Sequence, residues 1–394
     1  MKKLALLLMV MLLAVSMLVM AGCTNDDANT GDDVNTGDET NTGDDTNSDD
    51  PYADITETIN LSMSSPNANN VYISQAQDYW ADQVEAATDG RVMISDRTWG
   101  GALVKSDAIL ESLQSGVVDL CLLANNFYPT KTPLHNALMP FFYCNFEALG
   151  PVMVEAFNTM PELKAEYDAW NVTPVYWLGG ASVNLNTTFE VDPDSLKPLA
   201  GKNIYSVGTA PQMWVTALGG TPVNITATDV YTGLDKGTVH GTMTMSPTFL
   251  TSYKLAEVVT QVVDYRYCGT SMWVGMGMNT DVYNSLPESV KTLIADLADD
   301  TQDKANELLY AQLFQGYADA EANGVELVQL TVEQADAWRE AANIEAGWED
   351  AIKMAEDAGV ANTRDLHAQF LSMIDEYLAD VEQLSIMEEY QASK

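Results

Sequence analysis

Positive charge is scarce in this chain: 18 lysines and arginines stand against 57 acids, for a formal net charge of -39 over 394 residues. That balance excludes nucleic acid as a partner class, because a nucleic-acid binder needs a basic footprint. Histidine occurs three times, at His135, His240 and His367, in unrelated surroundings. With no HExxH, no GxSxG, no P-loop and no dinucleotide fingerprint, the chain offers none of the common catalytic motifs, and no enzyme is expected. Acidic pairs are so frequent that no single pair marks a glycosidase site. The cysteines, Cys23, Cys121, Cys144 and Cys268, are not spaced as metal ligands, so neither a metal nor a cofactor is expected. The last three sit in apolar runs as small core residues would, and one disulfide, Cys121 with Cys144, stays open outside the cytoplasm. Arginine is missing altogether between Arg97 and Arg266.

Long apolar runs are also missing, except at the start. Residues 1–22 read as a secretory signal, a basic MKK and an apolar stretch from Leu4 to Met20, ending in Met20-Ala21-Gly22-Cys23, which resembles a bacterial lipobox. Seventeen such residues are at the lower edge of spanning length, so a lipidated Cys23 is preferred to an uncleaved anchor. Residues 23–51 repeat NTGDD-like hexapeptides with ten acids and no base. Such a segment cannot bury enough surface to fold and reads as an extended, disordered acidic linker.

The remainder, 52–394, is organised around Leu199 to Pro247. A short strand (Asn203 to Val207) leads into a helix with Met213, Trp214, Ala217 and Leu218 on one face, stopped by Gly219-Gly220. Another short strand follows, Thr221 to Ile225, with N-cap candidates at Thr226 to Asp229, a helix VYTGLDKG and a strand from Thr238 to Met245. The last module has an earlier copy: Asp107 to Cys121 aligns without a gap on Thr228 to Thr242, matching Leu113 to Leu234, Gly116 to Gly237 and Val118 to Val239. Each copy is a helix, a glycine stop and a β-rich run, so two α/β lobes of related build are expected, with a cleft between them. The rest of the chain fits this frame, with strands at Ile55 to Ser64 and Arg91 to Ser95, a helix with Ala76, Trp80 and Val84 on one face, and Thr173 to Asn186 crossing to the second lobe. Lobe 1 is placed at about 52–175, lobe 2 at about 176–285, and helices fill 286–394.

Aromatic and amide side chains gather at the expected strand ends: Trp99, Asn125, Asn126, Phe127, Tyr176, Trp177, Asn184, Asn186, Tyr205, Trp214, Trp273 and Asn279. Such groups suit a cleft that stacks a ligand and hydrogen-bonds it. Taken one at a time, each is more simply a packing residue or a satisfied loop amide. The ligand-binding set expected from them is Tyr205, Trp99, Asn125, Asn126, Phe127, Asn184, Asn186 and Trp273, with Met243 and Met245 from the strand of the second module.

The segments YWADQVEAATDGRVMI, WGGAL, ILESLQSGVVDL, LKPLAGKNIYS, ALGGTPVNITATDVYTGLDKGTVHG and NTDVYNSLP, in that order from Tyr52 to about Ala342, resemble the DctP-type extracytoplasmic solute receptors of TRAP transporters. The resemblance implies a two-lobed, periplasmic-binding-protein-like clamshell with a long bracing helix and C-terminal helices. It further implies capture of a small solute for a permease of small and large membrane subunits. An ABC-type or sensor-linked binding protein is the alternative, and a secreted hydrolase a more distant one. The chain departs from the family where an arginine usually follows Ile204 to clamp a carboxylate, since Tyr205 stands there, and the strand GGASVNLN likewise lacks its arginine. His240 replaces a common aspartate. Without a guanidinium fork, a neutral or weakly anionic solute is expected.

Overall fold

The computed structural model describes residues 50–139, 146–265, 273–379 and 385–394. The signal segment, Cys23 and most of the acidic repeats lie outside the described residues, as do Cys144, Arg266 and Cys268. Asp50–Lys394 forms one compact unit. Cys121 is a fully buried thiol in it, and the partner considered for it from the sequence, Cys144, lies outside the described residues.

The strands are β1 (Ile59–Ser64), β2 (Val92–Thr98), β3 (Leu120–Ala124), β4 (Val172–Leu178), β5 (Asn184–Thr187), β6 (Asn203–Tyr205), β7 (Thr221–Val223), β8 (Gly241–Met245), β9 (Gln261–Asp264), β10 (Val274–Asn279) and β11 (Glu326–Gln329). They form two sheets, one of five strands in the order β2-β1-β3-β10-β4 and one of six in the order β11-β9-β5-β8-β6-β7. In the first sheet β1 runs parallel to β2 and β3, and β10 is antiparallel to both β3 and β4. The second repeats that plan: β6 is parallel to β7 and β8, and β5 is antiparallel to β8 and β9. Each lobe therefore takes its one reversed strand from the far side of a crossover, β5 entering lobe 2 and β10 returning to lobe 1. Chain order placed β10 in lobe 2; its antiparallel ladder to β3 and β4 puts it in lobe 1, together with Tyr176 to Leu178 of β4.

The internal repeat is carried out to the residue. Short 3-10 turns (Ser106–Ala108 and Ala227–Asp229), helices (Ile109–Gln114 and Val230–Asp235) and strands (β3 and β8) start and stop at positions related by one constant offset. Gly116 and Gly237 end the two helices at φ +70 and +66, a left-handed conformation that costs a side chain about 1 kcal/mol and glycine almost nothing. The capping expected at Thr226 to Asp229 is absent, as no side chain there bonds the turn's amides.

Helix Tyr72–Ala87 buries Ala76, Trp80 and Val84 against the first sheet. Each large side chain so buried stabilises the fold by roughly 1.5–3 kcal/mol. The bracing helix, Glu288–Ala322, is 35 residues long and packs on helix Tyr72–Ala87 of lobe 1 and on helix Thr248–Ser252 and β11 of lobe 2. Its Gln312 accepts from the Tyr72 amide (2.9 Å), Thr251 donates to its Asp319 (2.6 Å), and Tyr317 donates to Asn184 of β5 (3.2 Å). The tail after it is not wholly helical: Glu326–Gln329 adds β11 to the edge of sheet 2, parallel to β9. The helical segment after β11 breaks at Asn343 (φ 51), giving Val332–Ala342 and Ile344–Asp357. Thr363–Leu378 and Ile386–Ala392 follow.

Candidate functional site

Between the two sheets lies a cleft of about 800 Å³, within the range usual for small-molecule sites. A smaller inner chamber, about 70 Å³, adjoins it. Both are built from the segments that leave the carboxyl ends of parallel strands: Asn67 after β1, Gly100 and Gly101 after β2, Asn126 and Phe127 after β3, and Val207 and Gly208 after β6. Asn224 to Thr228 follow β7, and Ser246 and Phe249 follow β8. Open α/β sheets place ligand crevices at this edge, where loops are free of the ladder and amides are uncommitted. The repeat makes the two walls equivalent, the turn after β3 facing the turn after β8.

Tyr205 is common to both spaces. Its neighbour Ile204 packs in the core of lobe 2, and strand alternation sends Tyr205 to the opposite face, where it lines the cleft and the chamber at 4% exposure. Burial, with the Tyr253 phenol nearby, pushes its pKa well up, so it remains a neutral hydroxyl. Asn126 and Phe127 also line both spaces, and Met245 lines the chamber. Asn126 Oδ1 is buried and has no partner among the described residues.

The other sequence candidates sit elsewhere. Asn125 Oδ1 accepts the Trp273 amide at 2.6 Å, joining the end of β3 to the start of β10. Trp273 itself is fully buried in the lobe 1 core, stacked on Phe370 at 5.6 Å and edge-on to His135 and Trp177. It lines neither space. Asn184 takes the Tyr317 hydroxyl, and Asn186, inside sheet 2, donates to Thr242 (3.0 Å) and to the Met245 carbonyl (3.2 Å). Met243 and Trp214 pack in the lobe 2 core, Trp177 in that of lobe 1, Tyr176 in the main core, and Trp99 is half-buried against the main core. Asn279 caps helix Thr280–Ser285, accepting from Asp281 (2.9 Å) and Val282 (3.1 Å). Because β10 runs antiparallel, that residue lies at the end away from the cleft, whereas the first residue of β10, Val274, lines the chamber. His240 Nδ1 accepts the Asn203 amide (2.9 Å), which anchors the start of β6.

Sequence reasoning missed Asn67, Tyr72, Ile73, Leu122, Ala181, Val183, Thr244, Ser246 and Phe249 of the chamber wall. The offset of the internal repeat, applied one step past the strands, points from Asn125 to Ser246.

The charge pattern of the site is sparse. Among the described residues, no Lys, Arg, Asp or Glu lines the inner chamber, and Lys105 and Asp107, both exposed and of opposite sign, are the charged side chains on the cleft wall. Arg97 is engaged elsewhere, with Asp78 (2.9 Å), Asp82 (2.8 Å) and Glu85 (3.0 Å). Among the described residues no cluster of His, Cys, Asp and Glu is arranged to hold a metal ion.

Residues 62–348 match the DctP family, described as bacterial extracellular solute-binding protein, family 7. No curated protein matches the chain. Solved structures do. A TRAP periplasmic solute-binding protein from Desulfovibrio salexigens is 19% identical over 83% of this chain and 98% of its own, with a TM-score of 0.69. One from Rhodoferax ferrireducens, in complex with copurified benzoate, is 18% identical over 82% and 99%, with a TM-score of 0.70. A marine metagenome TRAP solute-binding protein specific for aromatic acid ligands, in complex with 3-hydroxybenzoate, is 20% identical over 82% and 99%, with a TM-score of 0.72. At these identities the likeness establishes a shared fold, the two-lobed α/β architecture just described.

Proposed function

Since this chain belongs to the DctP family, family 7 of the bacterial extracellular solute-binding proteins, we propose that it takes up a small organic solute in the interlobe cleft and passes it to a TRAP-type permease of small and large membrane subunits. The observation that carries this is the cleft itself: loops from the carboxyl ends of both sheets converge on one cavity, with Tyr205, Asn126 and Phe127 on its wall. The protein acts by binding and not by catalysis. Its place is extracytoplasmic, and a lipid on Cys23 would tether it to the membrane through the acidic linker. Met245 completes the proposed ligand set from lobe 2.

Two lobes joined by crossovers close on a ligand by a hinge motion. The experiment is a thermal-shift screen over organic acids, sugars, polyols and aromatic compounds, followed by small-angle scattering with each hit. A ligand that binds the native state raises the melting temperature, and closure lowers the radius of gyration. A chain that is stabilised by no solute, or that is saturated without contracting, is not a clamshell receptor.

A further inference from the structure

We infer that the solute is uncharged and amphiphilic, with a compact apolar end seated in the inner chamber and a neutral hydrogen-bonding head, a carboxamide or a hydroxyl, at the junction of chamber and cleft; this rests on the receptor function proposed above. Three observations converge on it.

The first is the shape and lining of the chamber. Its wall is mostly carbon, from Ile73, Leu122, Val183, Met245, Phe249 and Val274, and about 70 Å³ is room for a few carbon atoms. Thr244 and Ser246, polar groups on that wall, are partly engaged by the protein: Thr244 Oγ1 accepts from the Val207 amide (3.2 Å), and the Ser246 and Thr248 hydroxyls share one bond (2.6 Å). A polar ligand end placed there would exchange full hydration for one or two hydroxyl contacts on a carbon wall. An apolar end loses nothing.

The second is what stands at the junction. Asn67, Asn126 and Tyr205 line both spaces, and between them they offer amide and phenol groups that donate and accept. Asn126 Oδ1, buried without a partner among the described residues, adds an acceptor on that side chain. A carboxylate has acceptors only, whereas a carboxamide or hydroxyl carries the donor that such an acceptor requires.

The third is charge. A carboxylate moved into this cavity would be desolvated with no cation among the described residues of the chamber wall, and the exposed Lys105 of the cleft is offset by Asp107. The whole chain, at -39, sets up a field that lowers the local concentration of anions.

The test uses the full chain and isosteric pairs differing in charge alone: benzamide with benzoate, isobutyramide with isobutyrate, and longer alkyl amides with their acids, read by thermal shift and then by calorimetry at low and high salt. The amide is expected to bind at least tenfold more tightly than its acid, with an affinity that salt leaves unchanged. Along the alkyl series affinity should rise about fourfold for each methylene that enters the chamber, then stop. Ala181→Leu, which fills the chamber from the crossover, should remove that gain, and Ala227→Leu does the same from lobe 2 if the first variant does not fold. Equal affinities, or a carboxylate bound more tightly with a steep salt dependence, would overturn the uncharged class and leave the receptor function standing. A chain-length gain that is absent, or that survives both variants, would overturn the seating of the apolar end. Silence of every probe here and of every solute in the preceding screen would overturn both.

Discussion

A methyl group added at Gly316 and one added at Gly347 should change stability in opposite directions. Both glycines are in helices, where alanine is favoured over glycine by about 1 kcal/mol. The difference lies in what the new carbon meets. A Cβ at Gly316, on the bracing helix, would stand 2.0 Å from the carbonyl oxygen of Pro247 and 2.7 Å from its carbonyl carbon, so the helix and the turn after β8 must part by roughly 1 Å or more before ordinary contact is restored. Overpacking of this kind costs about 1–3 kcal/mol, and against a backbone atom the upper part of that range applies. Net of helix propensity, Gly316→Ala should lose about 1–2 kcal/mol, a fall in melting temperature of roughly 1–3 °C for a unit of this size. At Gly347 the nearest atoms are Met213 Sδ at 3.9 Å and Cε at 4.0 Å, ordinary van der Waals contact. Gly347→Ala should therefore gain up to ~1 kcal/mol. The assay is thermal unfolding of the two variants beside the parent, with circular dichroism to check helix content. A Gly316→Ala protein as stable as the parent would mean that the bracing helix does not press on the cavity wall as described. Because Ser246 and Phe249 flank Pro247 on that wall, the variant should also bind any ligand more weakly.

Tyr205→Ala should weaken ligand binding by tenfold or more through lost wall and hydroxyl, while Tyr205→Phe should cost only about 0.5–1.5 kcal/mol, one neutral hydrogen bond; unchanged affinity in both, by calorimetry, would remove Tyr205 from the site. Arg97→Gln leaves Asp78, Asp82 and Glu85 on one helix face without their shared counter-charge, and should cost about 1–3 kcal/mol in denaturant unfolding, a loss that added salt partly restores. His367 packs against Trp348 at 5.4 Å, and burial, opposed by the Glu349 charge, lowers its pKa from 6.5; the unfolded chain then takes up the proton first, so the stability His367 contributes is complete above about pH 6.5 and is lost as pH falls through its depressed folded value. His367→Gln should flatten the melting-temperature profile in that window, and an unaltered profile would refute the assignment.

How much of this was legible in the sequence depends on whether a residue's role is set locally. The repeat of helix, glycine stop and strand is local, and the two copies agree at every boundary. The opposite facing of Ile204 and Tyr205 is set by strand alternation, a local property. What failed was non-local. Glu326–Gln329 is too short to announce a strand, and it is one because β9 offers an open parallel edge. Trp273 was placed in the cleft as an aromatic at a strand end, yet the strand it precedes crosses back into lobe 1, and the ring is carried into the core between His135 and Phe370. Asn184 and Asn186 were placed at a strand end, whereas β5 is enclosed between β8 and β9, so Asn186 Nδ2 bonds Thr242 and the Met245 carbonyl and Asn184 takes the Tyr317 hydroxyl of the bracing helix.

The exchange of reversed strands explains why those errors fall where they do and why the site is positioned well. A strand that crosses from one lobe to the other arrives with its direction opposed to its neighbours, so its amino end, not its carboxyl end, lies at the ligand edge. Val274 at the start of β10 and Val183 just before β5 accordingly line the chamber, while Asn279 and Thr187, at the ends of the same strands, lie at the far edge. Polar residues at the carboxyl end of a crossover strand are thus spent on capping and ladder contacts, and apolar residues at its amino end supply the chamber floor. The parallel strands β1, β3, β6 and β8 supply the amides, hydroxyls and Tyr205. An apolar floor from the crossovers under a neutral polar rim from the parallel strands is a direct consequence of this topology with these residues, and it is the arrangement that favours an uncharged solute.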